Sequence, residues 1–377
     1  MTHRDRPRVC VATPYAGQLL TGESGYFGGA EVRGAVFLDG LVRSNRWDVH
    51  AVIMGSPEAP RRLPSGLTLH TRPPDPWLAE APRPMILESV WSAVDAEVYL
   101  AFGANQASAE VARYCEVVGK PFVLSIASDA AFHPDVYEGS AQVDVYGDKG
   151  HFAWYAITRA RKVVVQSDQQ RALYASRYDR EATIVRNPAP SGPWGSPRTR
   201  VEHGGRLLWI GRIDPNKRYD ELISVAALLP HREFMIVCND VSNLSATAIP
   251  DLQDAMPSVM IADQVPLAAT WDLFRFCDLL VNTSIVEGFP NTFVQAGMQG
   301  VPIVSMAVDP DGMFSRHGCG RLADNTATGT AAAIDAMLSD ENGYADASAA
   351  ISAWVRTRHD PEERIREMET VLLEALA

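Results

Sequence analysis

Two polar stretches of the chain combine charged, amide and glycine residues at spacings suited to binding phosphate and hydroxyl groups. The first is GRIDPNKR at 211–218, and the second is VEGFPNTFVQ at 286–295. Each follows a short apolar run that has the length of a buried strand. Open α/β sheets bind ligands in the loops beyond the carboxyl ends of such strands. The two stretches are therefore the strongest candidates for a binding site.

The second stretch is expected to form a loop and the beginning of a helix. Asn291 or Thr292 can cap this helix, which is expected to end at Gly300. The N–H groups and macrodipole of such a helix favour a phosphate. Glu287 and Gln295, eight positions apart, offer groups that hydrogen-bond hydroxyls. Phosphate and hydroxyl recognition together indicate a nucleotide sugar, whereas a capped helix in an ordinary α/β protein is the alternative interpretation.

The first stretch places Arg212 and Lys217 on one loop. An arginine fork together with a lysine point charge suits a diphosphate. Lysine is scarce among the 34 basic residues of the chain, since it occurs only at 120, 149, 162 and 217. A lysine on this loop is thus unusual for this sequence. A solvated turn with charges at its rim is the alternative.

Length and composition indicate a soluble protein of two domains. The chain has 377 residues, 46% apolar and 21% charged, which is ordinary for a globular protein. Its formal net charge of −12 argues against a nucleic-acid partner and weakens the case for docking on an anionic membrane. No apolar run approaches the roughly 20 residues of a membrane span, although peripheral association stays open. The N-terminal residues are unlike a signal peptide, so the cytoplasm is the expected location.

No cofactor, metal ion or disulfide is expected. The five cysteines lie far apart and never at CxxC spacing, which indicates neither a zinc site nor a disulfide framework. Cys10, Cys238 and Cys277 stand in apolar surroundings typical of small core residues. Asp309-Pro310-Asp311 has the spacing of a two-carboxylate metal motif, but it contains proline and follows a strand. A turn is therefore the preferred interpretation.

Strands and helices alternate along the chain in two series. The first extends over residues 8–186 and the second over 207–305, and such alternation indicates parallel, doubly wound sheets. A Pro- and Gly-rich segment, 188–202, separates the two series and is interpreted as a linker. Three segments with helical i, i+3/i+4 apolar spacing follow the second series.

The expected architecture is an α/β fold with two Rossmann-like, doubly wound domains and a helical C-terminal tail. The domains are placed at residues 1–190 and 198–377, with their carboxyl strand ends facing a central cleft. The last helix could pack back on the N-terminal domain.

Two loops of the N-terminal domain are further candidates. Gly28-Gly29 opens a helix at the end of a long Gly-rich loop, Gly17 to Gly29, so that its backbone can approach a ligand. This loop lacks the G-x-G-x-x-G fingerprint of dinucleotide-binding proteins. Asp129 and His133 follow another strand and could orient an acceptor or a donor sugar, but a solvated loop fits their positions equally well.

An ordered set of motifs resembles the retaining glycosyltransferases of family 4, which have the GT-B fold. The C-terminal half carries GRIDPNK at 211–217, EGFPNTFVQ at 287–295 and GVPIVS at 300–305. The N-terminal half carries GGAE at 28–31, VVVQS at 163–167 and VRNP at 185–188. The resemblance covers nearly the whole chain in the order of the family.

The resemblance implies roles for particular residues. Arg212 and Lys217 would grip the diphosphate of a donor, and Glu287, which opens the E-x7-E motif, would face the donor sugar. The second Glu of that motif is Gln295 here, so an amide would bind the ribose hydroxyls. The remaining implied donor-binding residues are Gly28, Gly29, Gly288, Phe289, Pro290, Asn291, Thr292 and Phe293. The resemblance implies no metal ion.

The implied activity is transfer of a hexose, with retention, from a UDP- or GDP-linked donor to a hydroxyl acceptor. A polysaccharide, a glycolipid or a natural product is consistent with the sequence as the acceptor. Two alternatives remain. One is a GT-B epimerase or hydrolase acting on a nucleotide sugar. The other, suggested by Gln295, is a catalytically silent nucleotide-sugar-binding partner.

Overall fold

The structure of the chain, a computed structural model, describes residues 6–22, 28–56, 58–72, 88–144, 147–238, 259–263 and 265–377. The chain divides into two compact units. The first contains most of the chain up to Pro188 together with Pro361–Ala377, whereas the second contains Ala189–Asp360. Each unit is built around its own sheet.

Strands and helices alternate in both units. The strands are β1 (Arg8–Ala12), β2 (Asp48–Met54), β3 (Arg61–Arg62), β4 (Thr68–Arg72), β5 (Val98–Phe102), β6 (Phe122–Ser125), β7 (Lys162–Val165), β8 (Thr183–Ile184), β9 (Leu207–Gly211), β10 (Phe234–Cys238), β11 (Met260–Asp263), β12 (Leu279–Asn282), β13 (Ile303–Ser305) and β14 (Gly320–Leu322). The α-helices are α1 (Gly17–Thr21), α2 (Gly29–Ser44), α3 (Glu88–Val94), α4 (Gln106–Val118), α5 (Gly150–Arg159), α6 (Asp168–Tyr178), α7 (Tyr219–Leu228), α8 (Thr270–Arg275), α9 (Asn291–Met298), α10 (Ala327–Ser339), α11 (Glu341–Arg358) and α12 (Pro361–Leu376).

Both sheets are doubly wound. The first has the strand order β3-β4-β2-β1-β5-β6-β7-β8 and the second has the order β11-β10-β9-β12-β13-β14. Neighbouring strands of the second sheet are parallel throughout, while in the first sheet β3 runs antiparallel to β4. Each sheet starts near its middle, grows toward one edge and then crosses over to the other. The prediction of two Rossmann-like parallel sheets with a helical C-terminal tail is confirmed.

The central strands are apolar because helices cover both faces of each sheet. Every residue of β5 and of β10 is buried, which is typical of parallel strands in α/β proteins. All five cysteines are buried thiols, and Cys10, Cys238 and Cys277 are core residues as expected. Within the described part of the chain, no helix combines the length and the apolar character that crossing a bilayer requires.

Strand β4 is a feature that the sequence pattern does not predict. Its residues His70 and Arg72 are polar, yet both are buried. The Arg72 guanidinium donates to the Glu110 carboxylate at 2.6 Å, and His70 stacks on His50 of β2. A polar strand is stable in this place because buried partners satisfy its side chains.

The predicted Gly-rich loop from Gly17 to Gly29 begins instead as a helix. Helix α1 occupies Gly17–Thr21 and is followed by Gly22, whose φ of 76° lies in the left-handed region that ends helices. Residues 23–27 of the predicted loop lie outside the described residues.

The last helix, α12, completes the core of the first unit. Its residues Met368 and Leu372 join the apolar cluster around β1 and α2. A Cβ atom on Gly40 of α2 would lie 2.3 Å from Ile365 Cδ1, so glycine is needed for the two helices to approach so closely. The chain therefore returns to the first unit after the second is complete.

The Pro- and Gly-rich segment interpreted as a linker is fastened along the second unit. The Gly195 N–H donates to the Met298 carbonyl at 2.8 Å, and the buried Arg198 guanidinium donates to the Phe274 carbonyl at 2.7 Å. The buried Asp278 carboxylate accepts backbone N–H groups from 202, 203, 205 and 206. These contacts make the segment part of the second unit and not a free tether.

A row of three titratable side chains joins β2 to β4. His50 Nδ1 and His70 Nε2 are 2.8 Å apart, and His50 Nε2 lies 3.1 Å from the Asp48 carboxylate. Both imidazoles are buried. Burial lowers the pKa of His70 to about 4 and also lowers the pKa of His50. Since a hydrogen bond between two imidazoles needs one nitrogen that accepts, at least one ring must be neutral.

We expect the first unit to lose stability as the pH falls from about 6.5 toward about 4. In this window the unfolded chain protonates His70 near its ordinary pKa of 6.5, whereas the folded chain does so only near a pKa of about 4. The unfolded state then binds more protons, so stability is complete above the window and falls by up to about 1.4 kcal/mol per pH unit within it. Calorimetric unfolding of the wild type and of His70→Gln measures the slope, with the exposed His231→Gln as control. Equal slopes for the wild type and His70→Gln contradict this assignment.

Candidate active site

The two predicted ligand loops follow neighbouring strands of the second sheet. Strands β9 and β12 are parallel and pair through Leu207 with Leu279 and Leu208 with Leu280. The sheet grows from β9 toward β10 and from β12 toward β13, so this pair is its topological switch point. Doubly wound proteins bind ligands beyond the carboxyl strand ends at such a point. The loops 212–218 and 283–290 both start there.

The first loop is a tight turn that carries four charged side chains, Arg212, Asp214, Lys217 and Arg218. The Lys217 N–H donates to the Asp214 carbonyl at 3.1 Å and to its carboxylate at 3.0 Å, which closes the turn. Arg212 pairs with the Asp214 carboxylate at 3.0 Å and about a third of its side chain, 35%, is exposed. Because the guanidinium is partly exposed, it is accessible to a diphosphate.

The structure brings Lys217 and Glu287 together. The Lys217 ammonium donates to Glu287 Oε1 in an ion pair across the two loops. The side chains are 21% and 13% exposed, so the pair is half-sheltered and less screened by salt than a surface pair. The groups predicted to meet the diphosphate and the sugar are therefore adjacent.

Thr283 is a residue of this site that sequence reasoning does not single out. Its hydroxyl donates to the Lys217 carbonyl and accepts from Trp209 Nε1 at 3.0 Å. Its own carbonyl accepts from Arg218 Nε at 2.7 Å. These bonds fix the end of the first loop to the beginning of the second, and Thr283 is completely buried. A lone threonine after a strand carries no sequence signal for such a role.

Helix α9 begins one residue earlier than a cap at Asn291 predicts and two residues earlier than a cap at Thr292 predicts. Its N-cap is Pro290, with φ −63° and ψ 128°, and Asn291 is the first helical residue. Neither Asn291 nor Thr292 is the cap, and proline has no side-chain acceptor that could take its place. The helix ends at Met298. Gly300, with a φ of 64° in the left-handed region, then turns the backbone out of the helical direction.

The rings of Phe289, in the second loop, and Phe293, on α9, lie in the core. The Phe289 ring packs on the His359 ring at 4.6 Å between centroids, and Phe293 packs on Phe314 at 5.4 Å. Phe289 and Phe293 are buried. Their rings are therefore not available to a ligand, and contacts of their backbone with a donor stay a prediction.

Gln295 is buried on α9. Its Nε2 donates to the Thr270 hydroxyl at 3.2 Å, and this hydroxyl donates to the Leu267 carbonyl at 2.7 Å. The amide thus ties α9 to the first turn of α8. This bond uses one of its two N–H groups, and binding of a ribose by the rest of the amide stays a prediction.

In the first unit, Gly28 is the N-cap of α2. Its N–H donates to the Glu31 carboxylate at 2.8 Å, so a carboxylate already lies at the helix N-terminus where the resemblance implies contacts with the donor. A phosphate there would have to compete with Glu31. Donor contacts by Gly28 and Gly29 stay a prediction.

The contacts of Asp129 and His133 favour the alternative of a structured, solvated loop. The Asp129 carboxylate accepts from Gln170 Nε2 at 2.9 Å and from Gln169 Nε2 at 3.2 Å. His133 is exposed and its Nδ1 lies 3.3 Å from the Asp135 carboxylate. A role of either residue in orienting a sugar stays a prediction.

Asp309-Pro310-Asp311 forms a turn, as expected. The Asp309 carboxylate accepts the N–H groups of Phe314 at 2.8 Å and Ser315 at 3.2 Å, which uses both of its oxygens locally. Within the described ranges, no group of three or more His, Cys, Asp or Glu side chains is placed to hold a metal ion.

A surface cleft of about 440 Å³ lies elsewhere on the second unit. Its lining includes His317, Arg321, Met337 and Asp346. These residues surround the start of β14 and the helices α10 and α11, at the amino ends of the strands. The cleft is therefore separate from the loops at the carboxyl ends of β9 and β12.

Comparison with known proteins adds a family to this geometry. Residues 204–340 match the sequence model of the family described as glycosyl transferases group 1. This matching segment lies within the second unit. No curated protein sequence matches the chain significantly.

Solved structures with the same fold superpose on nearly the whole chain. Sucrose-phosphate synthase from Thermosynechococcus elongatus superposes with a TM-score of 0.77 at 14% identity, over 98% of this chain and 99% of its own. HepE from Anabaena in complex with UDP and glucose gives 0.70 at 15% identity, over 98% and 100%. Its complex with UDP-glucose gives 0.69 at 17% identity, over 97% and 100%. These likenesses show the GT-B fold, while membership of family 4 stays a prediction.

Gly211 precedes the first loop, and we expect Gly211→Ala to destabilise the second unit. The added Cβ would lie 2.8 Å from the Trp209 ring, whose Nε1 holds Thr283. Overpacking of this kind lowers the free energy of unfolding by about 1–3 kcal/mol. Urea unfolding measures the loss.

The control for this substitution is Gly55→Ala, whose added Cβ would meet Thr71 at an ordinary 3.5 Å. If Gly211→Ala is as stable as this control, the close packing around Trp209 does not constrain the loop.

Proposed function

We propose that the protein is a retaining glycosyltransferase that moves a hexose from a nucleoside-diphosphate donor to a hydroxyl acceptor. The observation that carries this proposal is the contact of Lys217 with Glu287 at the switch point of the second sheet. It lies within the segment that matches glycosyl transferases group 1. A cation for the diphosphate and a carboxylate for the sugar side by side suit a nucleotide sugar better than a free nucleotide.

A UDP-linked donor is the first choice and a GDP-linked donor the second. HepE from Anabaena, with the same fold, binds UDP-glucose. The acceptor belongs to polysaccharide, glycolipid or natural-product synthesis in this proposal, and the reaction takes place in the cytoplasm without a cofactor.

The chemistry follows from where charge develops. The bond between the anomeric carbon and the diphosphate breaks, so the sugar becomes cationic and the leaving group gains negative charge. Arg212, Lys217 and the N-terminus of α9 stabilise the leaving group because preorganised positive charge is most effective where negative charge grows. The acceptor oxygen attacks from the same face, and a phosphate oxygen of the leaving group takes its proton. Glu287 lies beside the sugar and stabilises its positive charge.

We expect one class of nucleotide sugar to raise the melting temperature. A ligand that binds only the folded state stabilises it by RT ln(1 + [L]/Kd), about 2.7 kcal/mol at a concentration of 100 Kd. A thermal-shift screen of UDP-, GDP-, ADP- and dTDP-sugars identifies the base and the sugar. No shift with any nucleotide sugar contradicts the proposal.

Product analysis with the stabilising donor separates the remaining alternatives. Transfer that requires an acceptor supports a glycosyltransferase. Loss of the donor without an acceptor indicates a hydrolase or epimerase, and binding without turnover across a broad acceptor panel indicates a silent partner.

We expect Glu287→Gln to lower kcat by about 100-fold or more, because it removes charge stabilisation specific to the transition state. Binding of UDP should change little, since the carboxylate is assigned to the sugar. Initial rates and UDP titrations measure the two effects.

The matched control for Glu287→Gln is Glu233→Gln, which breaks another ion pair of the second unit, with Arg206 at 2.8 Å. If Glu287→Gln has the same kcat as this control, Glu287 has no role in the reaction and the assignment is wrong.

A further inference from the structure

Asn216 is completely buried between the two loops of the candidate site. Its backbone carbonyl accepts the Ile285 N–H at 2.9 Å. Its side chain accepts the Val286 N–H at Oδ1 at 3.0 Å and donates from Nδ2 to the Val286 carbonyl at 2.9 Å. Three hydrogen bonds therefore join one residue of the first loop to two residues of the second.

In both loops, the residues that form these bonds are next in sequence to the residues of the ion pair. Lys217 follows Asn216, and Glu287 follows Val286. Because the amide fixes Val286 against Asn216 through both its N–H and its C=O, it also fixes the backbone from which each charged side chain starts. The ammonium and the carboxylate therefore lose little conformational entropy when they pair.

The chemistry of asparagine matches this position. The amide both donates and accepts, as the N–H and C=O of Val286 require. An aspartate keeps the shape but cannot donate to the carbonyl. An alanine leaves both polar groups of Val286 without the side chain that holds them, which is costly in a sheltered site.

We infer that Asn216 is the positioning residue of the reaction: it sets the distance between the diphosphate-binding Lys217 and the sugar-facing Glu287. This inference rests on the proposed glycosyltransferase function. Asn216 itself touches neither the donor nor the reacting atoms and acts through the two loops. A displacement of about 1 Å at reacting groups can cost about 100-fold in rate, so control of this distance matters for turnover.

The scarcity of lysine allows a direct test without any substrate. The four lysines, at 120, 149, 162 and 217, give four ε-carbon signals in an NMR spectrum of protein labelled with ¹³C-lysine. The Lys217 signal is assigned by its loss in Lys217→Arg. Glu287→Gln should shift the Lys217 signal and leave the other three in place.

We expect this response to disappear in an Asn216→Ala background, because Lys217 and Glu287 no longer meet. Asn216→Asp, which preserves the shape of the side chain, should weaken the shift of the Lys217 signal. This variant replaces Asn216→Ala in the test if the alanine variant does not fold. The control background is Ser348→Ala, which removes a buried hydroxyl that donates to the Gly300 carbonyl and accepts the Arg198 N–H at 2.7 Å. There the full response should remain.

In the transfer assay, Asn216→Ala should lower kcat by about 10- to 100-fold and change the donor KM by less than about threefold. Ser348→Ala should lower the melting temperature but leave kcat within about twofold of wild type. A full NMR response in Asn216→Ala, or an unchanged kcat, overturns the inference. If the wild type transfers no sugar, the proposed function fails, while the NMR comparison still decides whether Asn216 holds the two loops together.

Discussion

The pairing of β9 with β12 is the constraint on which the candidate site depends. Neighbouring parallel strands lie about 4.8 Å apart, and at this pair the connections leave toward opposite edges of the sheet. Two loops that are far apart in sequence therefore start side by side with no helix between them. The ion pair of Lys217 and Glu287, separated by 70 positions, is a consequence of this pairing.

Around this pair, side chains in the core stiffen the loops and leave their backbone and charges for a ligand. Phe289 and Phe293 pack into the same buried apolar cluster and so hold the second loop and the start of α9 against the core. Trp209 reaches Thr283 from within the sheet, and Asn216 joins the loops at their middle. A site whose charges are held before the ligand arrives needs little reorganisation during the reaction, which is the main source of electrostatic catalysis.

The first unit shows how much polarity a parallel fold can bury when partners are present. The Arg33 guanidinium is 1% exposed and donates to the Val185 carbonyl at 2.8 Å and to the Ser125 hydroxyl. Burial lowers the pKa of Arg33 to about 9. Arg72 pairs with Glu110 inside the same unit. These bonds tie helices to strand ends, so they contribute to specifying the fold as well as filling the core.

Much of this protein could be predicted from short segments, because periodicity, capping and turns depend on residues only a few positions apart. The apolar run of β12, the helix α6 and the turn at Asp309 belong to this class. So do Arg212, Lys217 and Glu287 as candidate charges, since each follows a strand end. Local signals failed where burial depended on distant partners. Strand β4 has a polar sequence, and His70 is buried only because His50 lies beside it.

The sequence by itself determined two series of strands and helices and the residues that are predicted to bind a nucleotide sugar. Only the tertiary structure decided the strand order, and with it the contact between Lys217 and Glu287. It also assigned α12 to the first unit and gave Asn216 and Thr283 their places between the loops. The physical reason is that strand order and buried hydrogen bonds depend on the free energy of the whole packed unit. A short segment of the sequence does not contain the distant residues that contribute to this free energy.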